Sequence, residues 1–467
     1  MFINRQSELT QFNRLYQSDR AELLVLYGRR RVGKTELLRV FCQGKPHIYF
    51  IATLSSDSDQ LAAFSHQIWN FLHPEGGQGP VFASWEAAFR ALADLPGRPV
   101  VVLDEFTYLI SGNKAIPSIL QKVWDQQLKN ASIMLVLCGS YIGMMESEVL
   151  EYRAPLYGRR TASTLLRALD FPSSANFFPQ YPPDQRFLAW SILGGMPYYL
   201  LAFDPAMDIA TNIRRAILDP QTAPLYSEPR LLLMEELHEP RNYFSILRAI
   251  AQGRTRLNEI ALASGVGPAS TVARYLDILQ QMRLVTRRVP VTESQPEKSK
   301  KGLYQIDDHF LRFWFRYVHP NQAAIDLGLA DAILEQRILT DLEHFAAAAF
   351  EEAAREHIAA LARAGKLPFL SERIGGWWDR ESEIDVLAVS QAQRALLAGE
   401  CKWSVNPVGT NIVEDLKRKV SVLNQTGEWR EVHYCLFSRS GFTPALLEQA
   451  GREQILLISI DQMLVEI

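Results

Sequence analysis

The eight residues Gly28–Thr35, "GRRRVGKT", constrain this chain more than any other stretch. They fill every fixed position of the pattern GxxxxGK[ST]. An apolar run, residues 23–27 "LLVLY", precedes them, and a helical pattern, "ELLRVF", follows. The spacing has a physical reason. Gly28 and Gly33 permit backbone conformations closed to residues with a side chain. Through Arg29, Arg30, Arg31 and Val32 the loop can then turn successive N–H groups inward. The helix that opens at Lys34, Thr35 and Glu36 adds the positive end of its dipole. Such a loop is built for a triphosphate. Lys34 is expected to reach the β- and γ-phosphates, and Thr35 to offer its hydroxyl to Mg²⁺.

Short apolar runs recur at residues 99–103, "PVVVL", and 132–138, "SIMLVLC", with helical stretches such as "PSILQKVWDQQLKN" between them. Buried strands alternating with helices predict a parallel sheet flanked by helices over residues 1–165. The second run ends in Asp104 and Glu105. Asp104 stands where a second Mg²⁺-holding group belongs, with Glu105 beside it to polarise water. A solvated acidic strand end is the plainer alternative. Ser140 ends the third run, where a hydroxyl would sense the γ-phosphate or position water, although serine is common at strand ends. Lys34, Asp104, Glu105 and Ser140 are thus the candidates for chemistry in this region.

Residues 166–235 are helical patterns broken by Pro and Gly, and predict a small helical lid. From 236 to 322 three helices lead to two strands, "LVTRRVPV" and "KGLYQID", around the polar loop "TESQPEKSK". With the turn "GVG" before Pro268, this predicts a winged helix-turn-helix. The whole chain carries a net charge of −3, so any DNA contact must come from a local patch. One exists: Arg283, Arg287, Arg288, Lys298, Lys300 and Lys301 oppose only Glu293 and Glu297, and Arg274 lies on the second helix of the motif. A winged helix that serves as a packing or interaction module is the alternative. The four cysteines, Cys42, Cys138, Cys401 and Cys435, form no CxxC, which argues for reduced thiols. With no signal-peptide pattern and no long apolar run, a cytoplasmic protein without membrane contact is expected.

Residues 323–467 open on an Ala-rich helix and continue through "ESEIDVLAV" and "ALLAGECKW". A hairpin whose tight turn is centred between Ala392 and Gln393 would set Asp385 opposite Glu400, and Glu383 opposite Lys402. With period two, all four side chains share one face. Two opposed carboxylates repel unless a cation lies between them. Mg²⁺ there, with Lys402 beside it, would orient water against a scissile phosphate. The plainer alternative is a surface hairpin with a Glu383–Lys402 ion pair of little worth.

In order, "FINRQSEL", "GRRRVGKT", "VLDE", "CGS", "PLYGRR" and "GGMPYYL" resemble the signal-transducing (STAND-type) branch of AAA+-related ATPases. More closely, they resemble the prokaryotic archaeal ATPase family with a winged helix and a C-terminal domain of unknown function, number 234. The resemblance implies an α/β multidomain chain. Its parts would be a P-loop NTPase parallel sheet (1–165), a helical lid (166–235), a winged helix (236–322) and a restriction-endonuclease-like α/β domain (323–467). It implies ATP and Mg²⁺ as ligands, and ATP hydrolysis as activity. It places Phe2 to Arg5 by the adenine, with Asn4 where relatives usually have Gly. It assigns Gly195 and Pro197 to a lid motif, with a helix-breaking turn as the alternative. It offers Arg159 and Arg160 to a γ-phosphate, within the chain or across a subunit contact, or else leaves them a solvated pair. Arg29, Arg30 and Arg31 fit the family's style, facing solvent or a partner. In the last domain it implies the D…(E/D)xK core of restriction-type nucleases. Asp385, Glu400 and Lys402 fill that core, with Glu351 as the further acidic member and Glu352 as its competitor. Double-stranded DNA, a homo-oligomer or a protein partner are the expected associations.

Overall fold

The computed structural model describes residues 2–77, 79–237, 239–425 and 427–465. The chain divides into two compact units, one ending at Ala168 and the other beginning at Leu169.

The first unit is built on five parallel strands: β1 (Glu22–Tyr27), β2 (His47–Ile51), β3 (Val100–Asp104), β4 (Met134–Gly139) and β5 (Ala162–Leu165). They lie in the order β2-β3-β4-β1-β5. The three central strands β3, β4 and β1 are almost wholly buried. That is why they read as unbroken apolar runs rather than alternating ones. Leu23, Val25, Val101, Leu103, Leu135 and Leu137 point into one core shared with Phe64, Phe89 and Leu120 of the flanking helices. The edge strands β2, "HIYFI", and β5, "ASTL", alternate or are partly exposed, and the sequence reading did not mark them.

The second unit begins with helices, among them Pro183–Leu193 and the short Pro197–Leu200. Three helices follow, Pro240–Ala251, Leu257–Ser264 and Ala269–Gln281. Gly265, left-handed at φ 66°, ends the second of them, and Pro268 caps the third. The antiparallel pair β6 (Val285–Arg288) and β7 (Leu303–Ile306) completes the expected winged helix-turn-helix. After the 22-residue helix Leu342–Arg363 come five further strands. They are β8 (Arg373–Trp378), β9 (Glu383–Ser390), β10 (Ala395–Lys402), β11 (Glu431–Ser438) and β12 (Leu456–Ser459). Their sheet is mixed: β8, β9 and β10 are antiparallel neighbours, whereas β10, β11 and β12 run parallel. The β9–β10 hairpin adopts the expected register, with Leu397 opposite Ala388 and Gly399 opposite Val386. Ile384, Leu387, Leu396 and Leu436 anchor its core. No helix among the described residues is long and apolar enough to cross a membrane. All four cysteines are free and buried.

Candidate functional sites

The phosphate-type loop sits where β1 hands over to the helix Lys34–Cys42, at the carboxyl ends of the parallel strands. Gly28 has φ 155°, and a Cβ there would stand 2.4 Å from the Leu166 carbonyl oxygen. Only glycine permits that approach. Gly33, at φ 96°, turns the chain into the helix. The first-turn N–H groups of an α-helix have no acceptor within it, so those of Lys34, Thr35 and Glu36 are directed to the loop's hollow. Val32 is buried, and its carbonyl accepts from Arg5 Nη2 at 3.3 Å. Arg5 also donates to the Arg167 carbonyl at 2.7 Å. Arg5 therefore ties the loop at Val32 to the segment that follows β5. Arg30 bonds the Tyr108 hydroxyl. Arg29 and Arg31 are half-buried, and Glu36 is exposed.

Lys34 is 5% exposed and donates from Nζ to the carbonyls of Gly28 (2.8 Å) and Arg29 (3.0 Å), so its ammonium lies inside the loop. Thr35 Oγ1 donates to Asp104 Oδ2 at 2.9 Å. The hydroxyl and carboxylate singled out in the sequence thus meet, although 69 residues separate them. Tyr49 donates to the same Oδ2 at 2.8 Å, and the Glu105 N–H to Oδ1 at 3.0 Å. Burial and the Asp104 carboxylate push the Tyr49 phenol well above its usual range, so it remains a donor. Ser140 Oγ donates to Glu105 Oε1 at 2.5 Å, which fixes the Glu105 carboxylate at the ends of β3 and β4. Hard oxygen donors, one hydroxyl and one carboxylate, suit Mg²⁺, and the loop suits a polyphosphate.

Arg159 and Arg160 are not brought to this loop. They precede β5, whose first residue pairs with Leu24, so they lie at the edge where the strands begin. Arg159 binds Asp125 through Nη2 at 2.9 Å, and Arg160 donates to the Leu150 carbonyl at 2.9 Å. The expected contact with a γ-phosphate within the chain is corrected accordingly. In the second unit, Pro197 opens its helix after Gly194 and Gly195. A Cβ on Gly195 would fall 1.7 Å from the Leu169 carbonyl oxygen, so this glycine marks a close backbone approach.

A second cluster forms around the β9–β10 hairpin. Oxygens of Glu351, Glu383 and Asp385 all lie within 4.8 Å of one another. Glu351 comes from the helix Leu342–Arg363, and the other two from β9. Burial first, then Glu351 and Glu400, raises the Asp385 carboxyl to about 7. Burial and Glu383 push Glu351 up as well, against the pull of Arg355. Arg355 Nη1 donates to the Asp385 carbonyl at 2.7 Å, and its buried Nη2 has no partner among the described residues. Mutually raised carboxylates of this kind are the donor set for a hard divalent cation.

Two expectations change here. Glu400 is not a member of the cluster. The β9–β10 ladder ends at Gly399, and Asp385 Oδ2 accepts from the Cys401 N–H at 2.8 Å instead. Glu400 is 5% exposed and clamped, with Lys402 Nζ at 2.9 Å and Lys419 Nζ at 2.9 and 3.0 Å from its oxygens. The same ladder stops short of Glu383 and Lys402; Glu383 pairs with Trp378 on β8, and Lys402 turns to Glu400 instead. Glu383 was placed on the shared face but not among the expected ligands, and Lys419 was missed. The strand parity that grouped Glu383 with Asp385 was a usable signal. Nothing in the sequence ties Lys419, on the helix Thr410–Leu423, to Glu400. The choice between Glu351 and Glu352 is resolved by direction. Glu352 turns to His309 (2.9 Å), Arg312 (2.9 and 3.2 Å) and Gln305 (2.6 Å). Burial would raise its carboxyl, but Arg312 and His309 outweigh that and hold it well below the usual range.

In the winged helix, Arg274, Arg283, Lys298, Lys300 and Lys301 are exposed. Lys301 pairs with Glu293 at 2.8 Å. Arg287 and Arg288 are not part of that exposed patch. Arg287 fastens the wing loop at the Pro296 and Ser299 carbonyls, and Arg288 donates to Gln305 at 3.1 Å.

Comparison with known proteins agrees with this order of parts. A family model described as an ATPase domain predominantly from Archaea matches residues 2–203. An IclR helix-turn-helix model matches residues 241–288. A model of archaeal and bacterial proteins of unknown function matches residues 314–414. The uncharacterized protein MJECL04 of Methanocaldococcus jannaschii is 34% identical over 407 residues, covering 86% of this chain and 88% of its own. The uncharacterized ATP-binding protein MJ0423 of the same organism is 49% identical over 45 residues, 10% of this chain and 76% of its own. Among solved structures, the Walker-type ATPase PABY2304 of Pyrococcus abyssi aligns with a TM-score of 0.51 at 22% identity. That alignment covers 68% of this chain and 96% of the other.

Proposed function

Since the chain belongs to the archaeal ATPase family, with its helix-turn-helix and its C-terminal region of unknown function, we propose that it binds and hydrolyses ATP as a molecular switch. The observation that carries this reading is the Thr35–Asp104 hydrogen bond of 2.9 Å beside the buried ammonium of Lys34. Gly28, Gly33 and the amides from Arg29 to Glu36 would cradle the phosphates, and Lys34 would counter their charge. Thr35 and Asp104 would hold Mg²⁺, whose charge polarises the phosphate to be cleaved. Glu105, held by the Ser140 hydroxyl, would take the proton of an attacking water. In the STAND-type scheme, nucleotide state would govern a lid carrying Gly195 and Pro197. In this scheme the segments 166–235, 236–322 and 323–467 would be the lid, the winged helix and the nuclease-like part of one compact unit from Leu169 onward. Lys34→Ala is expected to abolish ATP binding. Unchanged affinity for a fluorescent ATP analogue in that variant refutes the switch.

The outputs of the switch would act on double-stranded DNA. Arg274 and the exposed lysines of the wing support a phosphate contact. The test is ATPase rate with and without duplex DNA, where stimulation is expected. A specific observation favours a second reading, an ATP-gated metal-dependent deoxyribonuclease: three carboxylates converge at Glu351, Glu383 and Asp385, with Lys402 and Lys419 near Glu400. The residues fit a divalent cation, which would activate water there. Supercoiled plasmid incubated with Mg²⁺ or Mn²⁺, with and without ATP, is the assay. Cleavage that survives Asp385→Ala, or no cleavage in any condition, removes this reading. A non-catalytic regulator would instead retain ATP tightly with little turnover.

A further inference from the structure

The wing lies on the strand that borders the carboxylate cluster. β8 presents two glycines in succession, Gly375 and Gly376. A Cβ on Gly375 would stand 3.3 Å from the Cβ of Val291, and one on Gly376 would stand 3.2 Å from Arg288 Nη2. The bare backbone therefore gives the wing its seat. The Val291 N–H donates to the Gly376 carbonyl at 2.9 Å, and Arg373 Nη1 donates to the Glu293 carbonyl at 2.8 Å. So seated, the wing carries the Arg288 guanidinium over the Trp378 ring, 6.0 Å from its centre. The Cβ position on Gly376 is also 3.5 Å from the carbonyl oxygens of Ile384 and Asp385. Arg288 Nη2 and the backbone of the cluster's own strand thus share one small space.

The charges explain why an arginine there matters. Burial first, then Arg355, pull the Arg288 guanidinium below its usual range, and Glu352, Glu351 and Glu383 offset part of that. Glu352 is already matched by Arg312 and His309. The Glu351–Glu383–Asp385 group has two guanidiniums beside it, Arg355 from the long helix and Arg288 from the wing.

We propose that Arg288 is a counter-ion built into the wing. Docked, it supplies the charge that a divalent cation would bring to Glu351, Glu383 and Asp385, and so holds the cluster in a low-affinity state that wing release would lift. This rests on reading the cluster as a divalent-cation site.

The test is Mn²⁺ binding to the full chain without nucleotide, followed by the electron paramagnetic resonance signal of free Mn²⁺. Asp385→Asn defines which binding belongs to the cluster. Arg288→Gln is expected to tighten the Asp385-dependent binding by about tenfold or more, the effect of removing a nearby like charge. Arg288→Lys should keep the wild-type affinity. Gly375→Val, whose added atoms crowd Val291 and loosen the wing's seat with Arg288 intact, should tighten binding in the same direction, and it serves as the reading if Arg288→Gln does not fold. If Arg288→Gln and Gly375→Val match wild type while Asp385→Asn loses Mn²⁺, the cation site stands and the counter-ion role is overturned. If Arg288→Lys tightens binding as much as Arg288→Gln, charge is not the cause, and the proposal also falls. If no variant shows Asp385-dependent Mn²⁺, the cluster reading and this inference fail together.

Discussion

Asp385 and Glu352 are carboxylates of one domain, yet their surroundings push them in opposite directions. Glu352 faces Arg312 and His309, so its folded-state carboxyl lies below the unfolded value. It contributes stability at pH values above the ordinary carboxylate range and loses it as pH falls below. Asp385 faces two other carboxylates in a desolvated hollow, and rises from 3.8 to about 7. Its folded state holds a proton that the unfolded chain has already released, so stability declines as pH climbs from about 4 to about 7. Asn mimics the protonated side chain and can still accept from the Cys401 N–H. Asp385→Asn is therefore expected to stabilise the metal-free protein above pH 7 by about 1 kcal/mol, a figure discounted for partial exposure. The gain should vanish near pH 4. Thermal melts of both proteins across that range measure it, and an equal gap at every pH contradicts the assignment. Residue identity alone did not reveal the difference between Asp385 and Glu352, because it rests on burial and on side chains distant in sequence.

At the scale of elements, what could be read in advance follows from which signals are local. The loop Gly28–Thr35 carries its conformational demands within eight residues, and the hairpin's register follows from its own turn and alternation. β5, "ASTL", is partly exposed and short, so it lacks the apolar run that betrayed β1, β3 and β4. β8, "RIGGWW", hid behind two glycines that lower strand propensity, and those glycines exist because the wing rests on them. Arg287 and Arg288 read as an exposed basic patch for the same reason: composition records charge but not which strand covers it. The loop and β5 depend on each other at one point, where Gly28 meets the Leu166 carbonyl at the end of β5. Gly28→Ala should cost about 2 kcal/mol or more, through both the positive φ and the backbone collision. It should also weaken ATP binding, because the loop and the strand cannot both keep their places. Chemical denaturation together with nucleotide titration tests this, and wild-type values in both would show that the loop tolerates a side chain.

For the whole molecule, the sequence reading sets boundaries at 235 and 322, where the pattern changes to three helices and then to a long Ala-rich helix. The structure gathers everything from Leu169 onward into one compact unit. Contacts across those boundaries explain this. Phe187 packs on Phe350 and Trp403, Arg439 binds Asp184 at 2.9 Å, and Glu352 joins β7, the helix His309–Phe313 and the long C-terminal helix through Gln305, His309 and Arg312. Such contacts are invisible to local pattern, since each partner alone looks like an ordinary core aromatic or surface charge. They have a thermodynamic consequence. Elements sharing a buried network unfold together, so calorimetry should resolve no more than two transitions, one for the nucleotide-binding unit and one for the rest. Mg²⁺ with ATP should raise the first by ligand linkage. Glu352→Gln leaves Arg312 and His309 without their carboxylate at a site only 18% exposed. It should cost about 2–3 kcal/mol and lower the second midpoint by roughly 4–10 °C. A third transition, or a Glu352→Gln effect confined to the winged helix, would mean that the wing, lid and C-terminal sheet fold as separate bodies. The wing's seat on β8 would then be too weak to couple the two on unfolding, and Arg288 would be a loose guard at most.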